Sequence, residues 1–341
     1  MTTLTNDVRS SRLTSGLAFA LLSAVSFGLS GSIGKGLLEL GWSAGATTLA
    51  RVAIGAAVLL YPGIAALRGR WSLVTRNAGM IVAYGLFAVA GAQFFYFMAI
   101  GTLDVSVALL VEYMAPVAVV GWLWARHGRR PGALTFVGAG FAALGMALLL
   151  NVFAGASLSL VGIAWALGAM IGATVYFIIS GDDSTGLPGI SLAAGGLLVA
   201  TVVLAVAGAV GLMPMAAATG TVQLAGASLP WWAVTVLLGV ITGAIAYVTG
   251  IAATRRLGSR LGSFVALTEV IAATSFAWLL LGQRLTLMQL GGAALVLVGV
   301  VFVKLGEPKA PADTSLALPP EEPQAASAHL PAPAPSRPVA T

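Results

Sequence analysis

The chain has 341 residues, of which 59% are hydrophobic and only 8% are charged. This composition excludes a soluble globular protein, which would carry about 25% charged residues. The absence of cysteine excludes disulfides, thiol catalysis and thiolate metal sites. The net charge of +6 comes from basic residues in short loops rather than from one basic face, so no nucleic-acid partner is predicted.

Ten apolar stretches run along the chain and predict its fold class. A hydrocarbon core of ~30 Å needs roughly 20 apolar residues of helix to cross it. Because lipid offers no partners for backbone N–H and C=O groups, each stretch is predicted to be a transmembrane helix. The predicted spans are 15–37, 43–66, 78–99, 102–124, 132–152, 158–180, 189–212, 231–253, 260–281 and 286–304. The chain is therefore predicted to be an all-α integral membrane protein in the lipid bilayer.

The ends of the chain and its basic residues predict its orientation. Residues 1–14 form a short N-terminal segment, and residues 306–341 form a Pro- and Ala-rich tail that is predicted to be disordered. With the N-terminus inside, 14 of the 17 Lys and Arg residues fall inside, the exceptions being Lys35, Arg51 and Arg284. The positive-inside rule therefore predicts that both termini are cytoplasmic.

The sequence also repeats itself. A shift of 154 residues places 82–145 on 236–299 without a gap. The matched pairs include Gly85 with Gly239, Trp124 with Trp278, Gly138 with Gly292 and Gly145 with Gly299. The predicted halves, 15–152 and 153–305, hold five spans each, and an odd number of spans inverts the second half in the membrane. Inverted repeats around a central cavity are typical of alternating-access transporters.

Two acidic residues lie deep in predicted spans, Glu112 in span four and Glu269 in span nine. An ionised group at this depth costs several kcal/mol unless it faces a cavity or a partner. The 154-residue shift places the two acids about one helical turn apart in the repeat. The functional interpretation is a site for a substrate ammonium group, for a coupling proton, or for both. The alternative is a structural ion pair, or a protonated acid, that joins two helices.

Three further residues stand out in the spans. Pro116 removes the N–H that would bond the Glu112 carbonyl and predicts a kink, which either frees a carbonyl for a cation or only serves packing. Arg51 in span two either binds a substrate carboxylate, forms an ion pair with one of the glutamates, or extends along its helix to the nearer interface. Lys35, near the outer end of span one, is an interface anchor or a gate residue.

Polar and aromatic side chains predict one face of a cavity. The candidates are Gln93 and Tyr96 in span three, Tyr113 and Thr268 beside the two acids, Trp165 and Tyr176 in span six, and Tyr247 in span eight. Tyr247 is the repeat mate of Gln93. Aromatic walls suit an amphipathic or cationic guest, and the alternative is ordinary packing or an interface belt.

No pattern for an enzyme or a cofactor is present. His127 and His329 have no partners at ligand spacing, so no metal is predicted. The stretch Gly181–Gly186 lacks the spacing of a phosphate-binding Walker loop, which excludes ATP hydrolysis within this chain. Nothing is typical of a nucleophile elbow or of paired catalytic carboxylates.

Residues 15–305 resemble the bacterial ten-helix, EamA-type permeases of the drug/metabolite transporter superfamily. The resemblance is carried by the five-plus-five inverted repeat, Met114–Ala115–Pro116, the sequence Leu-Leu-Gly-Gln-Arg-Leu-Thr at 280–286, and the spacing of Gly291 and Gly292 to Gly299. It implies a bacterial inner-membrane exporter of small metabolites, with amino acids as the leading class. It also implies a central cavity lined by spans one, three, four, six, eight and nine. The alternatives are efflux of hydrophobic cations or drugs and, in another class, a membrane enzyme or a scaffold without transport.

The chain departs from the family pattern at two positions. Gln283 stands where the family usually has Glu, and Val270 stands where it usually has Pro. Glu269 matches the acid that often precedes that proline. Val270 therefore leaves span nine without the residue that would produce a kink to match the one at Pro116.

Overall fold

The computed structural model describes residues 2–103, 105–128, 130–150, 152, 159–224, 226–282 and 286–306. Its α-helices are α1 (Thr2–Glu39), α2 (Ala44–Leu67), α3 (Ser72–Arg76), α4 (Ala78–Ala83), α5 (Ala92–Ile100), α6 (Val105–Glu112), α7 (Ala115–His127), α8 (Ala133–Leu149), α9 (Leu160–Gly181), α10 (Gly189–Ala209), α11 (Trp231–Leu238), α12 (Ala246–Ala266), α13 (Thr268–Leu281) and α14 (Leu287–Leu305). Two π-helical segments, Tyr84–Gly91 and Gly239–Ile245, and an antiparallel pair of strands, β1 (Thr221–Leu224) and β2 (Ala227–Pro230), complete the described elements.

The helices confirm the all-α membrane architecture. Eight helical stretches are long and apolar enough to span a bilayer, and two shorter apolar helices, Ala133–Leu149 and Thr268–Leu280, complete ten. One stretch, Trp231–Ala266, has 36 residues, which at ~1.5 Å each is far longer than a bilayer core of ~30 Å. The backbone leaves the helical conformation inside it at Gly258 (φ 78°, ψ 158°). The chain therefore turns there, and spans eight and nine are separate.

Spans four and nine are both interrupted near their middles. In span four, α6 ends at Glu112 and α7 begins at Ala115. Pro116 lies in the first turn of α7, where a backbone N–H has no partner within the helix, so the proline costs no hydrogen bond. In span nine, α12 ends and α13 begins around Leu267. The 154-residue shift places Tyr113 on Leu267. Because Val270 had removed the expected proline from span nine, the matching break there corrects the sequence-based expectation.

The π-helical segments also occur at matched positions. The shift moves Tyr84–Gly91 of span three onto residues 238–245 of span eight, which contain Gly239–Ile245. Both segments begin beside a matched glycine, Gly85 or Gly239. Such segments are rare and occur often at functional sites. Sequence periodicity did not indicate them.

The contact between α8 and α14 shows the inversion of the two halves. A Cβ added to Gly138 would lie 2.6 Å from the Gly299 oxygen, and one added to Gly145 would lie 2.7 Å from the Gly292 oxygen. The earlier residue of one helix meets the later residue of the other, so the helices are antiparallel. Gly138 thus meets the repeat mate of Gly145, and Gly145 meets the repeat mate of Gly138. This reciprocal pairing is that of two copies related by a two-fold axis.

The loop between α10 and α11 packs on the turn between α1 and α2. Trp42 donates its indole N–H to the Ala218 carbonyl at 2.7 Å. Ser43 caps α2 by accepting from the Ala46 N–H, and its hydroxyl donates to the Pro214 carbonyl at 2.7 Å. These bonds hold the start of span two at this end of the bundle. The predicted tail beyond Gly306, together with Gln283, Arg284 and His329, lies outside the described residues.

Candidate functional site

A cavity of about 440 Å³ lies among helices of both halves. It is lined by residues of spans one, three, four, six, eight and nine, the set that the family resemblance implied, and also by residues of span two. The contribution of α2, through Thr47, Thr48 and Arg51, was not anticipated as a wall of the cavity. Of the residues singled out from the sequence, the charged and polar ones that line it are Lys35, Arg51, Gln93, Glu112 and Glu269.

The two carboxylates lie at the interruptions of spans four and nine. Glu112 is the last residue of α6, whereas Glu269 lies in the first turn of α13. The partial positive charge of a helix N-terminus stabilises a carboxylate, so the two acids have different electrostatic surroundings. Their repeat mates, Ala266 and Ala115, line the same cavity. Each half therefore supplies one acid, offset by one helical turn from the other.

Tyr113 connects the two interrupted spans. Its hydroxyl donates to Oε1 of Glu269 at 3.2 Å. The bond runs from the break in span four to the start of α13, across the two halves. A hydrogen bond to a charged acceptor is worth about 1.5–3 kcal/mol, so it orients the Glu269 carboxylate in the cavity wall.

Arg51 points its guanidinium into the cavity and is only 8% exposed. Its Nη1 donates to the Ser30 hydroxyl at 2.8 Å, and its Nε is buried without a hydrogen-bond partner. In the part of the chain that the structure describes, ion pairs within 4.0 Å join Arg12 to Asp183 and Lys35 to Glu39, and Arg51 forms none. The side chain thus neither extends to the interface nor pairs directly with a glutamate.

Aromatic rings cover much of the remaining wall. The edge of Phe27 meets the Tyr247 ring at a centroid distance of 5.0 Å, and Tyr176 meets Tyr247 at 6.0 Å and Phe177 at 4.9 Å. Tyr96 also lines the cavity. Sequence reasoning named the three tyrosines but missed Phe27 and Phe177. The position of Phe177 directly after Tyr176 was the available signal.

Two sequence candidates do not line the cavity. Trp165 stacks on Phe95 at a centroid distance of 5.8 Å and an interplanar angle of 24°. Thr268 donates its hydroxyl to the Val265 carbonyl at 2.7 Å, which satisfies a carbonyl at the end of α12. By contrast, Tyr113 and Pro116, at the break in span four, both line the cavity. The role of Thr268 in the structure is therefore at the helix break rather than in the cavity wall.

The end of the bundle that carries the start of α1 is joined by polar contacts between helices. Arg12 lies 3.8 Å from the Asp183 carboxylate and donates to the Arg255 carbonyl at 3.4 Å. Arg255 in turn donates to the Leu187 carbonyl at 2.9 Å. At the opposite end the cavity wall reaches Lys35, whose ion pair with Glu39 at 3.5 Å stays within α1. Polar contacts therefore join α1 and α12 to the segment between α9 and α10 at the first of these ends.

Among the described residues, no group of three or more His, Asp or Glu side chains could hold a metal ion. The cavity instead presents two carboxylates, one guanidinium and several phenol rings. These groups can bind a cation, an anion and an apolar surface at the same time.

Two inverted halves around a polar cavity define a multi-pass membrane transporter of the inverted-repeat class. The model of the EamA-like transporter family matches residues 14–151 and 160–305. The chain therefore belongs to the EamA-like transporter family, as the sequence resemblance predicted.

Comparison with solved structures agrees on the fold. In all, 28 chains of solved structures match. One of them, described only as a crystal structure of a protein, has a TM-score of 0.67 and 22% sequence identity, and the match covers 87% of this chain and 98% of that one. At this identity the likeness shows the fold alone. No curated protein matches the chain.

Proposed function

We propose that the protein is a secondary transporter that exports amino acids or related small metabolites across the bacterial inner membrane by alternating access. The observation that carries this proposal is the presence of two carboxylates and one guanidinium on the wall of one cavity between the halves. A zwitterion needs a negative and a positive partner. Glu112 and Glu269 supply the first for its ammonium group, and Arg51 supplies the second for its carboxylate.

Charge balance supports a coupled proton. Lys35 also lines the cavity, but its ion pair with Glu39 balances its charge. With both acids ionised, Glu112, Glu269 and Arg51 then give the wall a net charge of −1. A bound zwitterion leaves that charge unchanged, and an unbalanced charge inside a membrane is costly. One proton on either acid brings the loaded cavity to zero. Proton exchange is therefore part of the proposal.

The two halves supply the moving parts. Alternating access requires two packed units that rock around a fixed site. The matched breaks of spans four and nine place Glu112 and Glu269 where each helix can bend. The contacts of Arg12 with Asp183 and Arg255 join helices at one end of the bundle, and rocking of the halves would have to break or remake them.

Orientation follows from the basic residues. The end of the bundle that contains Arg12 and Arg255 is assigned by the positive-inside rule to the cytoplasm, together with both termini. Lys35 and the loop that carries β1 and β2 then face the outside.

A hydrophobic cation is the second candidate substrate, and the same charge balance favours it. One monovalent cation neutralises the wall without a proton, and Phe27, Tyr176 and Tyr247 offer ring faces and edges to a delocalised charge. The two candidate substrates differ in how they interact with the positive charge of Arg51. A zwitterion uses its positive charge, whereas a cation is repelled by it.

Transport into proteoliposomes tests the proposal. The full-length protein would be reconstituted and screened with the twenty amino acids and with tetraphenylphosphonium, with and without an imposed pH gradient. We expect amino-acid flux that responds to the gradient and falls at least about tenfold in Glu112→Gln or Glu269→Gln, the loss of one charge-assisted contact.

Controls separate loss of function from loss of protein. Asp182→Asn changes an exposed acid that bonds Ser184 away from the cavity and should transport like the wild type. Full transport by the Glu112→Gln, Glu269→Gln double variant would refute the role of the acids. Flux of tetraphenylphosphonium without amino-acid flux would establish the second candidate instead.

A further inference from the structure

We propose that two glycines of the π-helical segment in span eight, Gly239 and Gly243, position Arg51 in the cavity and thereby set the preference for substrates that carry a carboxylate. The inference rests on the proposed function, because it concerns the group that Arg51 would bind. Neither glycine lines the cavity. They are therefore positioning residues that act through Arg51.

The backbone of α2 rests directly on this segment at Arg51. A Cβ added to Gly243 would lie 2.6 Å from the Arg51 carbonyl oxygen and 3.2 Å from the Gly55 Cα. A Cβ added to Gly239 would collide with the Ile54 side chain and lie 3.3 Å from the Arg51 oxygen. Any side chain at either position therefore pushes α2, and Arg51 with it, away from span eight.

The symmetry-related contact, between span three and α10, has no arginine. Gly85 is the repeat mate of Gly239, and a Cβ added to it would lie 2.5 Å from the Gly196 oxygen, where Gly239 meets the Arg51 oxygen. This correspondence makes Gly196 the counterpart of Arg51. The Tyr84 ring occupies the space beside Gly196, so the second half presents no charge at this position.

The closest contact is specific to the packing of α2 against span eight, where Arg51 lies. The 154-residue shift places Gly243 on Val89, which is fully buried. The position on α10 that corresponds to Gly55 is Ala200, also fully buried. The shared fold thus accepts a valine and an alanine at this seam. The pair of glycines beside Arg51 is not required by the fold and is explained by the depth at which Arg51 must lie.

The position of Arg51 depends on this contact because little else holds its side chain. The guanidinium makes one described hydrogen bond, to Ser30 at 2.8 Å, and its Nε is unpartnered. Relieving the 2.6 Å approach to an ordinary contact of 3.4 Å requires a movement of about 0.8 Å at Gly243. A shift of this size away from Ser30 would lengthen the 2.8 Å bond to about 3.6 Å, beyond hydrogen-bond range. Gly243→Ala should therefore displace the charge without removing it.

A substrate-independent assay can detect this displacement. The chain contains no cysteine, and Thr48 lines the cavity one helical turn before Arg51. In purified full-length Thr48→Cys protein, the ratio of reaction rates with anionic and cationic methanethiosulfonates reports the local potential. Adding Arg51→Gln should lower this ratio about tenfold, the effect of one unit charge a turn away. Adding Gly243→Ala should lower it at least about threefold.

Matched variants keep the test decisive. Gly85→Ala introduces an equally close contact between span three and α10, where no arginine is present, and it should leave the ratio unchanged. If Gly243→Ala fails to reach the membrane, Gly55→Ala replaces it, since that Cβ would lie 2.9 Å from the Gly243 carbonyl carbon. A folded variant of Gly243 or Gly55 that keeps the wild-type ratio, while Arg51→Gln lowers it, overturns the inference.

The binding of two probes tests whether the position of Arg51 sets the preference for substrates with a carboxylate. L-Phenylalanine and 2-phenylethylamine differ only in the carboxylate. We expect the wild type to prefer phenylalanine about tenfold or more, and expect Gly243→Ala and Arg51→Gln, but not Gly85→Ala, to lose most of that preference. A wild type that binds neither probe would count against the proposed function, whereas the thiol rate ratio would still decide whether the glycines position Arg51.

Discussion

The seam between α8 and α14 gives the sharpest test of the inverted repeat. Gly138, Gly145, Gly292 and Gly299 form two reciprocal contacts there. A Cβ on Gly292 would lie 2.7 Å from both the Gly145 oxygen and the Leu149 nitrogen, against 3.4 Å for an ordinary contact. Gly292→Ala must therefore separate the helices by about 0.7 Å, and overpacking of this kind costs about 1–3 kcal/mol.

Two properties of the seam make the prediction quantitative. Gly138 is the repeat mate of Gly292, and a Cβ there would lie 2.6 Å from the Gly299 oxygen. Gly138→Ala and Gly292→Ala should therefore destabilise the protein by similar amounts. Gly140 and Gly291 lie on the same two helices, but a Cβ at either meets nothing within 4 Å. Gly140→Ala and Gly291→Ala should stabilise by about 0.5–1 kcal/mol, because alanine is the better helix former.

Thermal unfolding of the detergent-purified protein, followed by tryptophan fluorescence, measures these changes. In a protein of this size each kcal/mol should move Tm by about 1–2 °C. The two seam variants should fall together and the two control variants should rise or stay level. Seam variants that are as stable as the controls, or a large difference between Gly138→Ala and Gly292→Ala, would refute the reciprocal packing of the halves.

Other expected outcomes concern the cavity and the orientation. Tyr113→Phe removes the bond to Glu269 and should raise the KM for an amino-acid substrate roughly tenfold in proteoliposomes; an unchanged KM would show that the bond does not orient the carboxylate for binding. Tyr247→Leu removes a ring with two edge contacts and should lower the melting temperature through a loss of about 1–3 kcal/mol; an unchanged melting temperature would show that these contacts contribute little. In intact cells, a membrane-impermeant thiol reagent should label Thr219→Cys and not Arg70→Cys; the opposite pattern would invert the proposed orientation.

Much of the fold could be predicted from the sequence because the bilayer imposes simple rules. Backbone groups in lipid must bond within their own segment, so apolar stretches of sufficient length become helices whatever surrounds them. The ungapped match of 82–145 with 236–299, which pairs Trp124 with Trp278 and Gly138 with Gly292, predicted the repeat. The odd number of spans in each half predicted its inversion. The family model confirmed the class of protein that this pattern indicated.

Part of the candidate site could also be predicted from the sequence, because lipid makes charged residues in a span costly. Glu112 and Glu269 stand out because an acid in a span is costly unless it faces a cavity or a partner. Tyr113 and Tyr247 were noted through their neighbours and repeat mates. Trp165 was not distinguishable from these residues by sequence, since an aromatic side chain packs against another helix as readily as it lines a cavity.

Tertiary structure alone decided the remaining features. Span nine is interrupted at Leu267 without a proline, and the π-helical segments arise where α2 and α10 pack closely against spans eight and three. Arg51 lines the cavity, and Gly243 of span eight lies against its backbone. Local sequence determines which segments are helices in lipid, whereas the distance between two helices depends on residues far apart in the chain. That distance decides which side chains meet, and it is set only when the helices pack together.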